Sequence, residues 1–293
     1  VGVYNNTAVF TAYEPGSIFK PITMSSAINE GMVFPNTAFN DHGEQVGFCD
    51  TPIKNANDKT FGAQTMTGVL ENSINTGMVF VVGRLGREKF VDYVQKYGFG
   101  VKTGLGLDSE SSGTIDSLLQ KRKNNNKIDC STATASFGQG IMATPLQMAT
   151  AFSAIVNGGK LMKPYIVEEV RYADGRVERV KPEEIRRVLN VESASLTSGM
   201  LASVVENGQS THAKVAGYYV GGKTGTAQIA GRGGYTNDTN HSFVGFAPVD
   251  SPKFVMLIKF EKPKMAWADS TASPVFRDMA KFILQYYHIP PSR

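Results

Sequence analysis

The chain has 293 residues, of which 41% are hydrophobic and 19% charged, enough to bury a core in one large domain or two small ones. The formal net charge of +4 is small, which argues against a nucleic-acid-binding protein because such proteins cluster their basic residues. No stretch of about twenty apolar residues occurs, so no membrane-spanning helix is predicted within the chain. The one dense basic run, Lys121-Arg122-Lys123, precedes three asparagines and predicts a solvated loop.

Helical patterns dominate the first half of the chain. Pro21 and Gly31 lie near the two ends of a first helix, because proline is tolerated in a first turn and glycine ends helices. Thr144-Pro145 likewise predicts a capped helix start, and Asn157-Gly158-Gly159 predicts its end. The predicted helices, in chain order, cover residues 17–29, 65–71, 77–85, 87–97, 145–156, 192–206 and 273–287. Residues 33–63, rich in Asn, Asp, Gly and Pro, are predicted to form an extended loop region.

The last third of the chain has the pattern of an antiparallel sheet. Residues 217–229 are strand-like and contain several glycines, and residues 242–248 and 253–261 alternate apolar with polar side chains. A Pro-Val-Asp-Ser-Pro turn joins the last two segments, which therefore predict a β-hairpin. Gly231 to Asn240 is predicted to be a mobile loop beside a cleft. Helices followed by a late antiparallel sheet indicate the α+β fold class.

The two cysteines, Cys49 and Cys130, have neither C-x-x-C spacing nor a nearby histidine. A metal site is therefore not predicted. A disulfide is possible in an oxidising compartment, but two separate thiols are the simpler expectation.

The first motif with chemical potential is Ser17-Ile18-Phe19-Lys20. Residues three apart share one face of a helix, so the Ser17 hydroxyl and the Lys20 amine are expected to be neighbours. A helix start also offers unpaired N–H groups that favour negative charge. Serine needs an adjacent base to become a nucleophile, and lysine can be that base if its pKa is depressed. Taken by itself, a Ser-x-x-Lys motif more often marks a serine that caps a helix and a lysine that is exposed to solvent.

Two further motifs are weak individually. Ser73-Ile74-Asn75 lies in a predicted turn between helices, where Ser and Asn are common; its functional interpretation is a proton-relaying hydroxyl and an amide that binds a carbonyl. Lys223-Thr224-Gly225-Thr226 follows two glycines and resembles an edge strand. Glycine there would let a substrate backbone approach, and the lysine and hydroxyls would bind a terminal carboxylate.

Ser-x-x-Lys, Ser-x-Asn and Lys-Thr-Gly in this order form the set known from penicillin-binding proteins and class A β-lactamases. The chain resembles the transpeptidase domain of a class B, monofunctional penicillin-binding protein. Tyr-Glu-Pro-Gly-Ser is more similar to the cell-division branch than to the elongation branch. Further segments that agree with the family are Tyr13-Glu14-Pro15-Gly16, Phe137-Gly138-Gln139-Gly140, Thr144-Pro145-Leu146-Gln147 and Gly245-Phe246-Ala247-Pro248.

The resemblance implies a β-lactamase/transpeptidase-like α+β fold over residues 1–293. A five-stranded antiparallel sheet, flanked by helices, would lie mainly in residues 161–293 and the N-terminal segment. An all-helical subdomain would occupy residues 32–160. The membrane anchor, a pedestal domain and the first strand of the sheet are expected upstream of this chain, which would place the domain on the extracytoplasmic side of the bacterial membrane.

The resemblance also implies the roles of the site residues. Ser17 would be the nucleophile, Lys20 its base, and Ser73 with Lys223 a proton shuttle. Substrate would be bound by Asn75, Thr224, Gly225 and Thr226. No metal or organic cofactor is implied. The expected partners are peptidoglycan stem peptides, β-lactam antibiotics and, in the full-length protein, a glycosyltransferase and division or elongation proteins.

Three rival functions remain open at this point. A β-lactamase would need a second base to activate water, and no convincing Glu-x-x-Leu-Asn loop lies between Ser73 and Lys223. A D,D-carboxypeptidase would use water in place of the amine acceptor. A β-lactam sensor or binding module would be acylated without making cross-links.

Overall fold

The computed structural model describes residues 5–120, 127–231 and 234–293. The basic run Lys121–Lys123, predicted to be a solvated loop, lies outside these residues. The α-helices of the described part are α1 Thr7–Phe10, α2 Lys20–Asn29, α3 Met66–Glu71, α4 Asn75–Leu85, α5 Arg87–Lys96, α6 Asp116–Leu119, α7 Cys130–Ala135, α8 Pro145–Val156, α9 Val191–Glu206 and α10 Ala272–Tyr286. The strands are β1 Ala38–Asp41, β2 Glu44–Gln45, β3 Ile53–Lys54, β4 Gly62–Thr65, β5 Lys160–Met162, β6 Glu169–Arg171, β7 Val177–Arg179, β8 Glu184–Arg187, β9 Gly221–Gly231, β10 Gly234–Ala247 and β11 Phe254–Glu261.

An antiparallel sheet of order β11-β10-β9 carries the second half of the fold. The predicted hairpin is confirmed, with Val244 opposite both Leu257 and Lys223. On one side, α10 packs its apolar face against the sheet, and the Phe276 and Phe243 ring centroids lie 4.7 Å apart. The described residues give this sheet three strands, two fewer than the family resemblance implies.

A largely buried helical layer packs against the other side of the sheet. Helix α2 is buried from its first residue, Lys20, to Ile28 and contacts α4 and α9. The predicted start of α8 is confirmed by a capping box, in which the Thr144 hydroxyl accepts from the Gln147 N–H while the Gln147 side chain accepts from the Thr144 N–H. Among the described helices, none has the length and apolar character needed to cross a bilayer.

The predicted first helix is divided in two. Residues Gly16–Phe19 form a 3₁₀ turn, and α2 begins only at Lys20. The reason is Pro21, which has no N–H to donate to the Ser17 carbonyl four residues earlier. That carbonyl accepts from the Lys20 N–H instead, which is the i→i+3 bond of a 3₁₀ turn.

Two loop predictions are corrected. Residues 33–63 contain β1, β2, β3 and the start of β4, arranged in two short antiparallel pairs. Gly231 to Asn240, predicted to be a mobile loop, belongs largely to strands: β9 ends at Gly231, and β10 begins at Gly234 with Tyr235 opposite Ala230. Both segments are polar because their strands are short or exposed. Side-chain hydrogen bonds add to the backbone pairing in each segment, for example from Asn55 to Asp41 and from Tyr235 to Glu14.

The expectation of two separate thiols is also wrong. Cys49 and Cys130 form a disulfide with a sulfur–sulfur distance of 2.01 Å. It joins the segment before β3 to the first residue of α7. The cysteines are 81 residues apart in the sequence, so local spacing could not reveal that the fold brings them together.

Candidate active site

A cleft of about 430 Å³ lies where β9 meets the helical layer. It is lined by residues from all three sequence motifs. The predicted site residues on its wall are Ser17, Ser73, Asn75, Thr224 and Thr226. Lys20 and Lys223 are buried, and each joins the cleft through hydrogen bonds or charge rather than by exposure.

The turn that carries Ser17 is docked against β9. Gly16 has a left-handed φ of 58°, and a Cβ at this position would come within 2.9 Å of the Ala227 Cβ. The Gly16 N–H donates to the Gly138 carbonyl at 3.0 Å. Glycine therefore serves two purposes before Ser17, since it permits the positive φ and the close approach to the strand.

Lys20 reaches the second motif. Its Nζ donates to the Asn75 Oδ1 at 2.8 Å, to the Ser73 Oγ at 3.1 Å and to the Ser73 carbonyl oxygen. Burial and, secondarily, the nearby Lys223 charge hold the pKa of Lys20 well below its ordinary value. In the described residues no hydrogen bond joins the Lys20 side chain to the Ser17 side chain, so the expected pairing of these two side chains is replaced by a pairing of Lys20 with Ser73.

Ser73 has an unusual backbone conformation. Its φ of 54° lies in the left-handed region, which is uncommon for residues other than glycine and typically costs about 1–3 kcal/mol. It immediately precedes Ile74 and the start of α4. Such a conformation persists only where surrounding contacts hold it, and the Lys20 hydrogen bonds to Ser73 are contacts of this kind.

Asn75 lies in the first turn of α4, two residues before the predicted helix start. Its side-chain amide bridges two segments: Oδ1 accepts from Lys20, and Nδ2 donates to the Lys54 carbonyl at 2.9 Å. One N–H of the amide remains available for a substrate carbonyl.

The third motif lies on β9, an edge strand of the described sheet. The Lys223 Nζ donates to the Thr224 carbonyl at 3.2 Å. Burial lowers the pKa of Lys223 to about 7, while the Asp269 carboxylate acts in the opposite direction and raises it. A substrate strand could pair with the free edge of β9.

Two side-chain hydroxyls complete this wall, and Gly225 lies between them without lining the cleft. The Ala268 N–H donates to the Thr226 Oγ1 at 3.1 Å, and the Ser210 hydroxyl donates to the Thr224 Oγ1 at 3.4 Å. A Cβ at Gly225 would lie 3.0 Å from the Pro15 carbonyl oxygen. Glycine at this position therefore lets β9 pack closely against the segment that leads to Ser17.

Sequence reasoning missed a pair of side chains beside this wall. Asp269 lines the cleft, and its Oδ2 lies 2.5 Å from the His212 Nδ1. No motif marks them, because they belong to separate 3₁₀ turns 57 residues apart. His241, on β10, is buried and hydrogen-bonded to Thr239 and Thr271.

A family profile, the penicillin binding protein transpeptidase domain, matches residues 1–281 of the chain. The chain belongs to this family. The match confirms the α+β fold and the resemblance to class B penicillin-binding proteins.

Individual relatives agree with this assignment. Stage V sporulation protein D of Bacillus subtilis is 36% identical over 301 residues, which cover 99% of this chain and 45% of that protein. The peptidoglycan D,D-transpeptidase FtsI homolog of Mesostigma viride is 32% identical over 319 residues, with coverage of 99% and 52%. The crystal structure of penicillin-binding protein 3 from Mycobacterium tuberculosis, complexed with aztreonam, matches with a TM-score of 0.89 and 30% identity, covering 99% of this chain and 66% of that one. The chain thus spans about half the length of the curated relatives it matches.

Proposed function

We propose that this domain is a peptidoglycan D,D-transpeptidase that cross-links stem peptides through an acyl-enzyme on Ser17 and is acylated at the same residue by β-lactams. The observation that carries the proposal is the convergence of three distant motifs on one cleft. Ser17, Ser73 and Thr226 line it, and Lys20 and Lys223 are buried lysines with depressed pKa values. The family and the relatives named as D,D-transpeptidases support the same reaction.

In the acylation step, Ser17 Oγ attacks the carbonyl carbon between two terminal D-alanines. Lys20, whose depressed pKa favours the neutral amine, takes the hydroxyl proton through the Ser73 hydroxyl or directly after a small side-chain movement. Ser73, close to Lys223, passes a proton to the amine of the departing D-alanine as the C–N bond breaks, and Lys20 replaces that proton on Ser73. The amine of a second stem peptide then attacks the acyl-enzyme carbonyl and forms the new amide, the ester bond to Ser17 breaks, and the proton lost by the amine returns to the Ser17 oxygen.

The wall formed by β9 binds the substrate carboxylate and helps to stabilise the oxyanion. The Lys223 ammonium and the Thr224 and Thr226 hydroxyls bind the terminal carboxylate of the substrate or of a β-lactam. The backbone N–H groups of Ser17 and Thr226 stabilise the oxyanion that develops in the transition state. Gly225, between the two threonines, keeps β9 close to the segment that leads to Ser17, and the free N–H of Asn75 binds a donor-side carbonyl.

A β-lactamase would need a carboxylate that activates water near the acyl-enzyme. Among the described residues that line the cleft, Asp269 is the one acidic side chain, and His212 occupies one of its oxygens. We therefore expect slow deacylation, so that a penicillin gives a burst of about one equivalent followed by little turnover.

Product analysis separates the remaining rivals. The purified domain would be given a D-Ala-D-Ala donor peptide with and without an amine acceptor. A transpeptidase yields the donor–acceptor amide and one D-alanine per cross-link, whereas a carboxypeptidase yields the shortened peptide and D-alanine without any donor–acceptor amide. A sensor would be acylated by penicillin and form neither product, and sustained penicillin hydrolysis would identify a β-lactamase.

The substitution Asp269→Asn is expected to change the pH dependence of acylation by penicillin. The Lys223 ammonium is lost as the pH rises through its pKa of about 7, and substrate carboxylate binding is lost with it. Asp269 raises this pKa, so removing its charge should move the alkaline decline of penicillin acylation to lower pH. The rate would be measured across a pH series around neutrality, with Asp278→Asn on the exposed side of α10 as a control. An unmoved curve would contradict the role of Lys223.

We also propose that the domain works on the extracytoplasmic side of the membrane, anchored by a segment upstream of this chain. The Cys49–Cys130 disulfide supports an oxidising compartment. In the full-length protein, the partners would be a glycosyltransferase and the division or elongation proteins that direct cross-linking.

A further inference from the structure

A buried carboxylate lies behind the Ser73–Asn75 loop. Asp41, at the end of β1, is shielded from solvent and has no ion-pair partner among the described residues. Four donors surround it: Oδ1 accepts from the Thr76 hydroxyl at 2.6 Å and the Gly43 N–H at 3.0 Å, and Oδ2 accepts from the Phe61 N–H at 2.8 Å and the Asn55 Nδ2 at 2.9 Å. Such a group is costly to bury unless its hydrogen bonds compensate.

These hydrogen bonds keep Asp41 ionised. Burial by itself raises the pKa of Asp41, but the bonds from Thr76, Phe61, Gly43 and Asn55 together outweigh it, so the pKa lies below its ordinary value. The negative charge lies beside the first turn of α4, where a helix favours anions.

Asn55 connects Asp41 to the active-site loop through hydrogen bonds. Its Nδ2 donates to Asp41, and its Oδ1 accepts from the N–H groups of Asn75 at 2.9 Å and Thr76 at 3.2 Å. Both ends of this amide are therefore fixed by partners that allow only one orientation.

The contact matters because α4 has no cap of its own. Its N-cap residue is Ile74, whose side chain forms no capping hydrogen bond. The first N–H groups of a helix need an acceptor, and Asn55 supplies one from 20 residues away in the sequence. The Lys54 carbonyl holds the Asn75 side chain at the same time. The loop with the left-handed Ser73 is thus held by the Lys54–Asn55 segment.

We infer that Asp41 and Asn55 are positioning residues for acylation: Asp41 orients Asn55, Asn55 caps α4, and the capped helix sets Ser73 and Asn75 against Lys20. The inference rests on the proposed acylation of Ser17. Its expected signature is a slower chemical step with a smaller change in the initial binding of a β-lactam, because the network positions only the Asn75 contact and leaves the carboxylate-binding wall on β9 unchanged.

The chain offers a matched control in Glu110. This carboxylate is also buried and accepts hydrogen bonds from the N–H and hydroxyl of Thr103 and from the Gly104 N–H. None of these three residues lines the cleft. Glu110→Gln therefore disturbs a buried carboxylate of the same kind without touching the active-site loop.

The test measures acylation by a fluorescent penicillin under single-turnover conditions, resolving the dissociation constant of the first complex from the acylation rate constant. Asp41→Asn leaves one acceptor oxygen for four donors, and Asn55→Ala removes the cap while leaving three of the Asp41 bonds. Each is expected to lower the acylation rate constant about 10- to 100-fold, with the dissociation constant within about threefold of the parent value. Glu110→Gln should retain both constants.

A paired exchange tests the connection itself. In the double variant Asp41→Asn/Asn55→Asp the amide and the carboxylate change places. The amide now at position 41 can donate to the carboxylate now at position 55, which still accepts from the N–H groups of Asn75 and Thr76. The double variant is expected to recover part of the rate lost in Asp41→Asn, whereas Asn55→Asp alone places two carboxylates face to face and should be the slowest. Thermal unfolding of every variant identifies any that do not fold. If the exchange variants do not fold, the inference is tested with Asn55→Ala.

The inference is overturned if Asn55→Ala is acylated at the parent rate. It is also overturned if the rates of all variants simply follow their melting temperatures, with Glu110→Gln slowed as much as Asp41→Asn. Failure of the proposed function is a different result, because the parent domain itself would then not be acylated.

Discussion

Replacing Lys20 with arginine is expected to slow acylation of Ser17 by about 10²- to 10⁴-fold, the usual contribution of a general base. Arginine keeps the positive charge and can donate to Ser73 and Asn75, but its guanidinium does not lose a proton in proteins. The substitution therefore distinguishes a role of Lys20 as a base from a role as a positive charge. Lysine in this position is suited to be the base, because burial and Lys223 depress its pKa.

The comparison variant is Lys20→Met, which has similar length but neither charge nor basicity. If Lys20 is the general base, acylation of Ser17 should be severely slowed in both Lys20→Arg and Lys20→Met. This role further predicts that the parent rate falls as the pH falls through the pKa of Lys20, since only the neutral amine accepts a proton, and that Lys20→Met lacks this acidic decline. Near-parent acylation by Lys20→Arg would show that the group acts only through its charge.

Ser73 is expected to be the second largest contributor, through its hydroxyl. Both Ser73→Ala and Ser73→Gly should lower the acylation rate by about 10²-fold or more, because each removes the hydroxyl that accepts from Lys20. Their stabilities should differ. The φ of 54° at this position is strained for alanine and unstrained for glycine, so Ser73→Gly should be the more stable variant by roughly 1 kcal/mol.

Comparing Ser73→Ala with Ser73→Gly distinguishes the contribution of the Ser73 hydroxyl from that of its strained backbone. Acylation rates and thermal unfolding would be measured on the same preparations. If the hydroxyl matters, the two variants are equally slow despite their different stabilities. Recovery of the parent rate by Ser73→Gly would mean that Ser73 contributes only its backbone conformation.

The elements most accessible from sequence were those with strong local signals. Thr144-Pro145 and the glycines after Asn157 predicted α8 because capping and termination depend on neighbouring residues only. The hairpin of β10 and β11 followed from alternating side chains and a proline-bounded turn. The three motifs are also visible in the sequence, where together they carry the family resemblance, and residues from all three line one cleft in the structure.

The features that sequence could not provide depend on contacts between distant segments. Asn55 caps α4 across 20 residues, His212 and Asp269 meet across 57, and the cysteines pair across 81. The hydrogen bonds of Lys20 belong to the same class: helical spacing predicted Ser17 as its partner, whereas the packing of α2 against α4 directs its amine to Ser73 and Asn75.

The covalent chemistry of the Ser17 hydroxyl is the central step of the proposed function. The domain would be incubated with a penicillin and analysed by intact mass and by peptide mapping, beside Ser17→Ala and the cleft-wall control Ser270→Ala. We predict a mass gain of one penicillin per chain, carried entirely by the peptide that contains Ser17, retained in Ser270→Ala and absent in Ser17→Ala. A label on any other residue, or an undiminished label in Ser17→Ala, would contradict the account.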